Sequence, residues 1–250
     1  MDIPSSPDGE VRPAGFPHTH SSLVRAVESD DLKVRERALE GLIAAYWRPV
    51  YSYLRLQWRI PREDAMDLTQ EFFALVIEGR TLRGYRPDRA RFRTYLRVCL
   101  DGFVANARKA ATRLKRGGEA RFISLDFAGE EAELGSREAT APEDPEVLFR
   151  QEWVRSMFAL AVERLKHECA ASDHEAHFTL FESYDLEDRA RPTYTELAEQ
   201  AGLTSTQVTN YLAYARRRFR SILLEKVREL SGSESEFREE ARELLGQAPE

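Results

Sequence analysis

Tyr194 to Arg220, YTELAEQAGLTSTQVTNYLAYARRRFR, carries the strongest local signals in the chain. Thr193 stands three residues before Glu196, and Thr204 three before Gln207. Each pair fits a capping box, in which a hydroxyl and a carboxyl or amide satisfy the orphan N–H groups of a helix start. Gly202, between them, can turn the chain with positive φ after the first helix. Leu197, Leu203, Val208 and Leu212 give the two helices a shared apolar face, and Ala198 permits close approach. Thr206, Gln207, Thr209, Asn210 and Ala213 are left outward on the second helix, followed by Arg216, Arg217, Arg218 and Arg220. Short polar side chains leading into guanidinium groups suit a helix in a DNA major groove with phosphates beyond it. The stretch reads as a helix-turn-helix, and DNA becomes the first partner to consider. The plainer reading is a helical hairpin whose charged face is solvated.

The net charge of −6 speaks against DNA only as an average. From Arg86 to Arg121 eleven Arg and Lys face three acids, an excess of about eight positive charges. Phe122 to Arg150 reverses this to about −6, Arg189 to Arg228 returns to about +5, and Glu229 to Glu250 falls to about −5. Basic blocks neutralise phosphates, and acidic ones repel stray nucleic acid. The chain is 42% hydrophobic and 32% charged, with 250 residues, enough for two modest cores. No apolar run reaches the length of a membrane span, and the first residues lack the plan of a signal peptide. Cys99 and Cys169 suggest no disulfide framework, so a reducing cytoplasm is the expected compartment, with no membrane partner.

Helical spacing of apolar residues runs from Ser22 to Gln57, with Pro49 bending or restarting it. Pro61 opens a helix to about Glu78, with Ala65, Leu68, Phe72, Leu75 and Val76 inward. A helical pair is expected from Ala90 to Leu114, ended by Gly117-Gly118. Phe122 to Pro145 lacks periodicity and reads as a linker, after which helices resume. Ser231 to Glu236 is a polar hinge before a short amphipathic tail carrying Phe237, Ala241, Leu244 and Leu245. The expected architecture is all-α. Two helical domains, residues 21–118 and 146–230, follow a loose arm (1–20), are joined by an acidic linker (119–145) and precede the tail (231–250).

Four segments in this order carry a family resemblance: AYWRPVYSYLR (Ala45–Arg55), EDAMDLTQEFFALVI (Glu63–Ile77), RFRTYLRVCLDGFVANARKAATRLKRGG (Arg91–Gly118) and the helix-turn-helix. Together they resemble the extracytoplasmic-function (ECF) class of bacterial RNA polymerase sigma factors, over roughly Ser22 to Arg228. The resemblance implies a factor that binds core polymerase and directs transcription initiation at chosen promoters, without catalysis and without a cofactor. It implies a region-two domain that docks the β′ clamp helices and captures the −10 element. It also implies a region-four domain that reads the −35 element and touches the β flap.

The residues fit those roles. Asp64, Asp67, Gln70 and Glu71 share one side of their helix, an acidic and amide-bearing face suited to a basic partner helix. The resemblance assigns them to polymerase. Arg93, Arg97, Asn106, Arg108, Lys109 and Arg113 are the candidates for −10 DNA, where cations meet phosphates beside stacking faces for unpaired bases. Asp101-Gly102 departs from the Arg-Asn that family members often carry there. Thr206, Gln207, Asn210, Arg216, Arg217, Arg218 and Arg220 are the candidates for −35 DNA. Family members commonly place a basic residue where Thr209 or Asn210 stands. An anti-sigma protein or another regulator is a further expected partner.

His167, Cys169, His174 and His177 have a spacing that could supply zinc ligands if a loop reversed the chain, or are polar residues between two helices. A zinc enzyme centred there is one alternative; a free-standing dimeric helix-turn-helix regulator is the other. No phosphate loop, nucleophile elbow or HExxH motif is present.

Overall fold

The computed structural model describes residues 22–111, 125–135, 137, 141–187 and 192–246. Among these the protein is all-helical, with no strand. The expected arm (1–20) and the KRGG stretch at 115–118 lie outside the described residues.

The helical pattern from Ser22 to Gln57 divides into α1 (Leu23–Ala26) and α2 (Leu32–Leu56). The carboxylate of Asp31 accepts from the backbone N–H groups of Lys33 and Val34 and starts α2 afresh. Pro49 sits inside α2 without ending it. A proline has no N–H for the carbonyl four residues back, here Ala45. That carbonyl instead accepts a bond of 2.9 Å from the buried Ser156 hydroxyl on α6. The proline thus leaves an acceptor that fixes where α6 lies across α2.

Helix α3 (Arg62–Ile77) buries Ala65, Thr69, Phe72, Phe73 and Val76, while Leu68 and Leu75 are only half-buried. The buried stripe therefore passes through a threonine, whose hydroxyl donates back to the Ala65 carbonyl at 2.7 Å and needs no further partner. The expected pair after Ala90 is one helix, α4 (Phe92–Ala111), which runs straight through Gly102.

The stretch read as linker holds α5 (Phe127–Leu134), capped by Asp126. Phe127, Glu130 and Leu134 form its buried face, and Phe127 meets Trp47 and Tyr51 at 5.6 and 5.0 Å between ring centroids. The middle residue of that face is a glutamate, which hides the helical period from a hydrophobicity reading. Its carboxylate accepts from Ser52 at 2.8 Å and Arg137 at 2.6 Å, so the charge is paired where it is buried.

Helix α6 (Pro145–Ala171) begins at Asp144 with Pro145 in its first turn. It packs along α2 on one side and α9 (Ser205–Leu230) on the other. Between them α7 (Glu175–Phe181) ends in a π-helical turn, Glu182–Leu186, before α8 (Tyr194–Ala201). Finally α10 (Glu234–Leu245) folds back against α9. The buried side chains form one continuous core from Val24 to Ala241, with α2 and α6 at its centre.

Candidate nucleic-acid interface

Both capping boxes form. Thr193 accepts from the Glu196 N–H while Glu196 accepts from the Thr193 N–H, and Thr204 and Gln207 repeat the exchange. Gly202 closes α8 with φ +65°, in the left-handed region that glycine enters without Cβ strain. Leu197, Ala198, Val208 and Leu212 are buried between α8 and α9, and Leu203 packs against them.

What α9 presents outward is narrower than the sequence suggests. Thr206, Gln207, Thr209 and Asn210 are exposed at its start. The Gln207 side-chain oxygen is used by its own cap, which leaves only its amide protons for a partner. Thr206, Asn210, Arg217 and Arg220 recur at intervals of four, seven and three residues and form one exposed stripe. Arg216 and Arg218 flank that stripe and turn back into the protein. The Arg216 guanidinium grips both carboxylate oxygens of Asp185, at 2.8 and 3.0 Å, and lies over the Tyr184 ring. Arg218 does the same to Glu168, at 2.6 and 2.8 Å, and also bonds Glu225. These bonds push both guanidinium groups above their ordinary pKa. Bonding to Arg218 holds the Glu168 carboxyl below the usual carboxylate range.

On α4 the division is sharper. Asn106, Arg108 and Lys109 are exposed on its last turns, with Arg108 stacked 4.6 Å from the Trp58 ring centroid and bonded to the Trp58 carbonyl. Arg93 is 2% exposed and bound to Glu240 of α10 and Glu146 of α6, with Trp153 beneath it. Arg97 bonds Glu146 at 2.9 Å and Asp101 at 2.6 Å. The expected group of −10 residues is therefore split into an exposed end and a paired middle; Arg113 lies outside the described residues. The departure at Asp101 acquires a structural role, since Asp101 also accepts from Tyr53 and Trp58.

On α3, Asp64, Asp67 and Glu71 are exposed and Gln70 half-buried, so the acidic side reaches solvent as a face. The four-residue His and Cys set does not converge, although His174 and His177 meet with ring centroids 4.5 Å apart. Cys169 is buried, His167 is exposed, and His177 stacks on Tyr211 at 3.8 Å while His174 faces Tyr214 at 4.9 Å. Among the described residues no group of three His, Cys, Asp or Glu could hold a metal ion. Burial and the neighbouring His174 lower the pKa of His177. No helix among the described residues is long and apolar enough to cross a membrane.

Sequence reading missed the acids that occupy the arginines: Glu146, Glu168, Asp185, Glu225 and the series on α10. The alternation of basic and acidic blocks signalled Glu146 and the α10 series as blocks and not as pairs, and gave no signal for Glu168, Asp185 or Glu225, which lie outside the acidic blocks. Comparison of the chain with protein-family models, curated proteins and solved structures returns no match.

Proposed function

We propose that this protein is an ECF-type sigma factor that binds core RNA polymerase and directs initiation at particular promoters. The observation that carries the reading is the doubly capped α8–α9 pair, which presents Thr206, Asn210, Arg217 and Arg220 as one exposed stripe. In this reading Thr206 and Asn210 meet base edges of a −35 element and the two arginines meet phosphates beyond it. The acidic face of α3, with Asp64, Asp67 and Glu71 exposed, is the docking surface for polymerase. Asn106, Arg108 and Lys109 at the end of α4 contact the melted −10 strand. On this proposal the two parts, 21–118 and 146–230, act as separate region-two and region-four domains once bound to polymerase and promoter. The packing of α6 on α2 then belongs to the unbound protein.

Run-off transcription with core polymerase on a library of promoter fragments, with and without the protein, tests the reading. Discrete new start sites preceded by paired −35 and −10 motifs are expected. Absence of both stimulation and core binding overturns it and favours the free-standing dimeric regulator, which instead protects a palindromic site unaided.

A further inference from the structure

Helix α10 carries five glutamates against two arginines over Glu234–Leu245. Its carboxylates are aimed at one target. Glu239 and Glu243 bond Arg91, at 3.1 and 2.6 Å, and Glu240 bonds Arg93 at 3.1 Å. Glu243 also lies 3.8 Å from Arg93. Glu236 accepts from the Phe92 N–H and the Tyr85 hydroxyl, capping the start of α4 from 144 residues away. A row of carboxylate oxygens on the arginines of α4 occupies the places that phosphate oxygens would take.

The seat of α10 has two unequal components. Its apolar hold consists of the buried Phe237 and Ala241, with Leu244 and Leu245 half-buried. Its electrostatic hold buries Glu240, at 3% exposure, against Arg93. Taking this ion pair out of water costs much of what the attraction gains, so a solvent-exposed polyanion can compete for the arginines. Ser231 and Gly232, held through their carbonyls by Ser22 and Arg25, are the point about which α10 would swing.

We propose that α10 is an internal acidic occupant of Arg91 and Arg93 at the start of α4, displaced when single-stranded nucleic acid binds there. The proposal adds Arg91 to the nucleic-acid surface and makes the tail a competitor for it. It rests on the sigma reading only in taking a nucleic-acid strand as the displacing polyanion.

Binding of a fluorescent single-stranded oligonucleotide to the full chain, titrated over a range of potassium chloride, tests this. The variant E239Q/E240Q/E243Q keeps the apolar seat and removes the competing charges. It is expected to bind at least tenfold tighter than the unaltered protein, and to steepen the salt dependence by about 1.4, for two freed arginines meeting phosphates at roughly 0.7 each. The variant E36Q/E40Q/E163Q changes net charge equally at exposed positions away from this contact and should move affinity less than threefold. Equal shifts in the two variants, or none in either, overturn the proposal. If loss of the buried Glu240 charge unfolds the first variant, E239Q/E243Q retains it, frees Arg91 alone and should give about half of the gain in slope; no gain there also overturns the proposal. The assay contains no polymerase. Tighter oligonucleotide binding without promoter-directed start sites leaves this inference standing and the sigma reading failed, and start sites with unchanged oligonucleotide binding do the reverse.

Discussion

Arg217 and Arg220 on α9 stand in solvent, whereas Arg91 and Arg93 at the start of α4 are tied to carboxylates almost 150 residues further along the chain. In the sequence the two clusters look alike: arginines at helical spacing beside polar and aromatic residues. What separates them is where the neighbouring helices end up. On α9 a stripe from Thr206 to Arg220 stays exposed, while the start of α4 lies beneath the last helix described. A basic block in a sequence thus gives the supply of cations, and the packing decides how many are available to phosphate.

The largest effect that would sharpen this contrast is expected from Arg93→Ala. It takes from Glu240, at 3% exposure, its hydrogen-bonded partner, leaving Arg91 at 3.8 Å, and removes one partner of Glu146. Loss of about 3–5 kcal/mol in urea-induced unfolding is expected, because a buried carboxylate loses its bonded guanidinium. A loss below 1 kcal/mol would show the pair to be as dispensable as a surface one.

Next comes the seam that holds Glu146 opposite α4. Ser156→Ala leaves the Ala45 carbonyl, freed by Pro49, without its buried donor. The same unfolding experiment should register about 1–3 kcal/mol. An unchanged midpoint would mean that α6 is set on α2 by apolar packing alone.

A smaller effect is expected from pH at the Arg218 clamp. Arg218 holds Glu168 below the usual carboxylate range; at Glu225 burial pushes upward, but Arg218, Ser221 and Arg164 together lower it. A depressed carboxylate contributes stability that is present above its unfolded pKa and lost as pH falls through its folded value. Burial raises Glu152 and Glu240, which act in the opposite sense and favour the folded state at low pH. Glu168→Gln should therefore flatten the acid-side fall in stability relative to the unaltered protein. Parallel curves for the two proteins would remove the clamp from the account.

The smallest change in stability, within about 0.5 kcal/mol, is expected for Arg217→Ala and Arg220→Ala, since both side chains are exposed. Their effect should fall on DNA instead, each lowering the salt slope of binding by about 1. If Arg218→Ala lowered that slope as much, the division between facing and clamped arginines would fail.

The starts of α8 and α9 were readable because a capping box closes over three residues, so Thr193 with Glu196 and Thr204 with Gln207 contain their own evidence. The acidic side of α3 was readable for a related reason: a single helix fixes which residues share a side. Helix α5 was not, because Glu130 sits in the middle of its buried face and finds its partners in Ser52, on α2, and Arg137. The continuity of α2 through Pro49 was not either, because the acceptor that the proline abandons is satisfied from α6.

By itself, then, the sequence determined an all-helical chain, the caps and turn of α8 and α9, and the order of its charged blocks. Only the tertiary structure decided which arginines are bound and by which acids. The physical reason is one of range. Caps and helix faces depend on neighbours three or four residues apart, whereas the Arg218–Glu168 and Arg93–Glu240 pairs join residues 50 and 147 apart. Those pairs form only where apolar packing of α6, α9 and α10 has already brought the helices together.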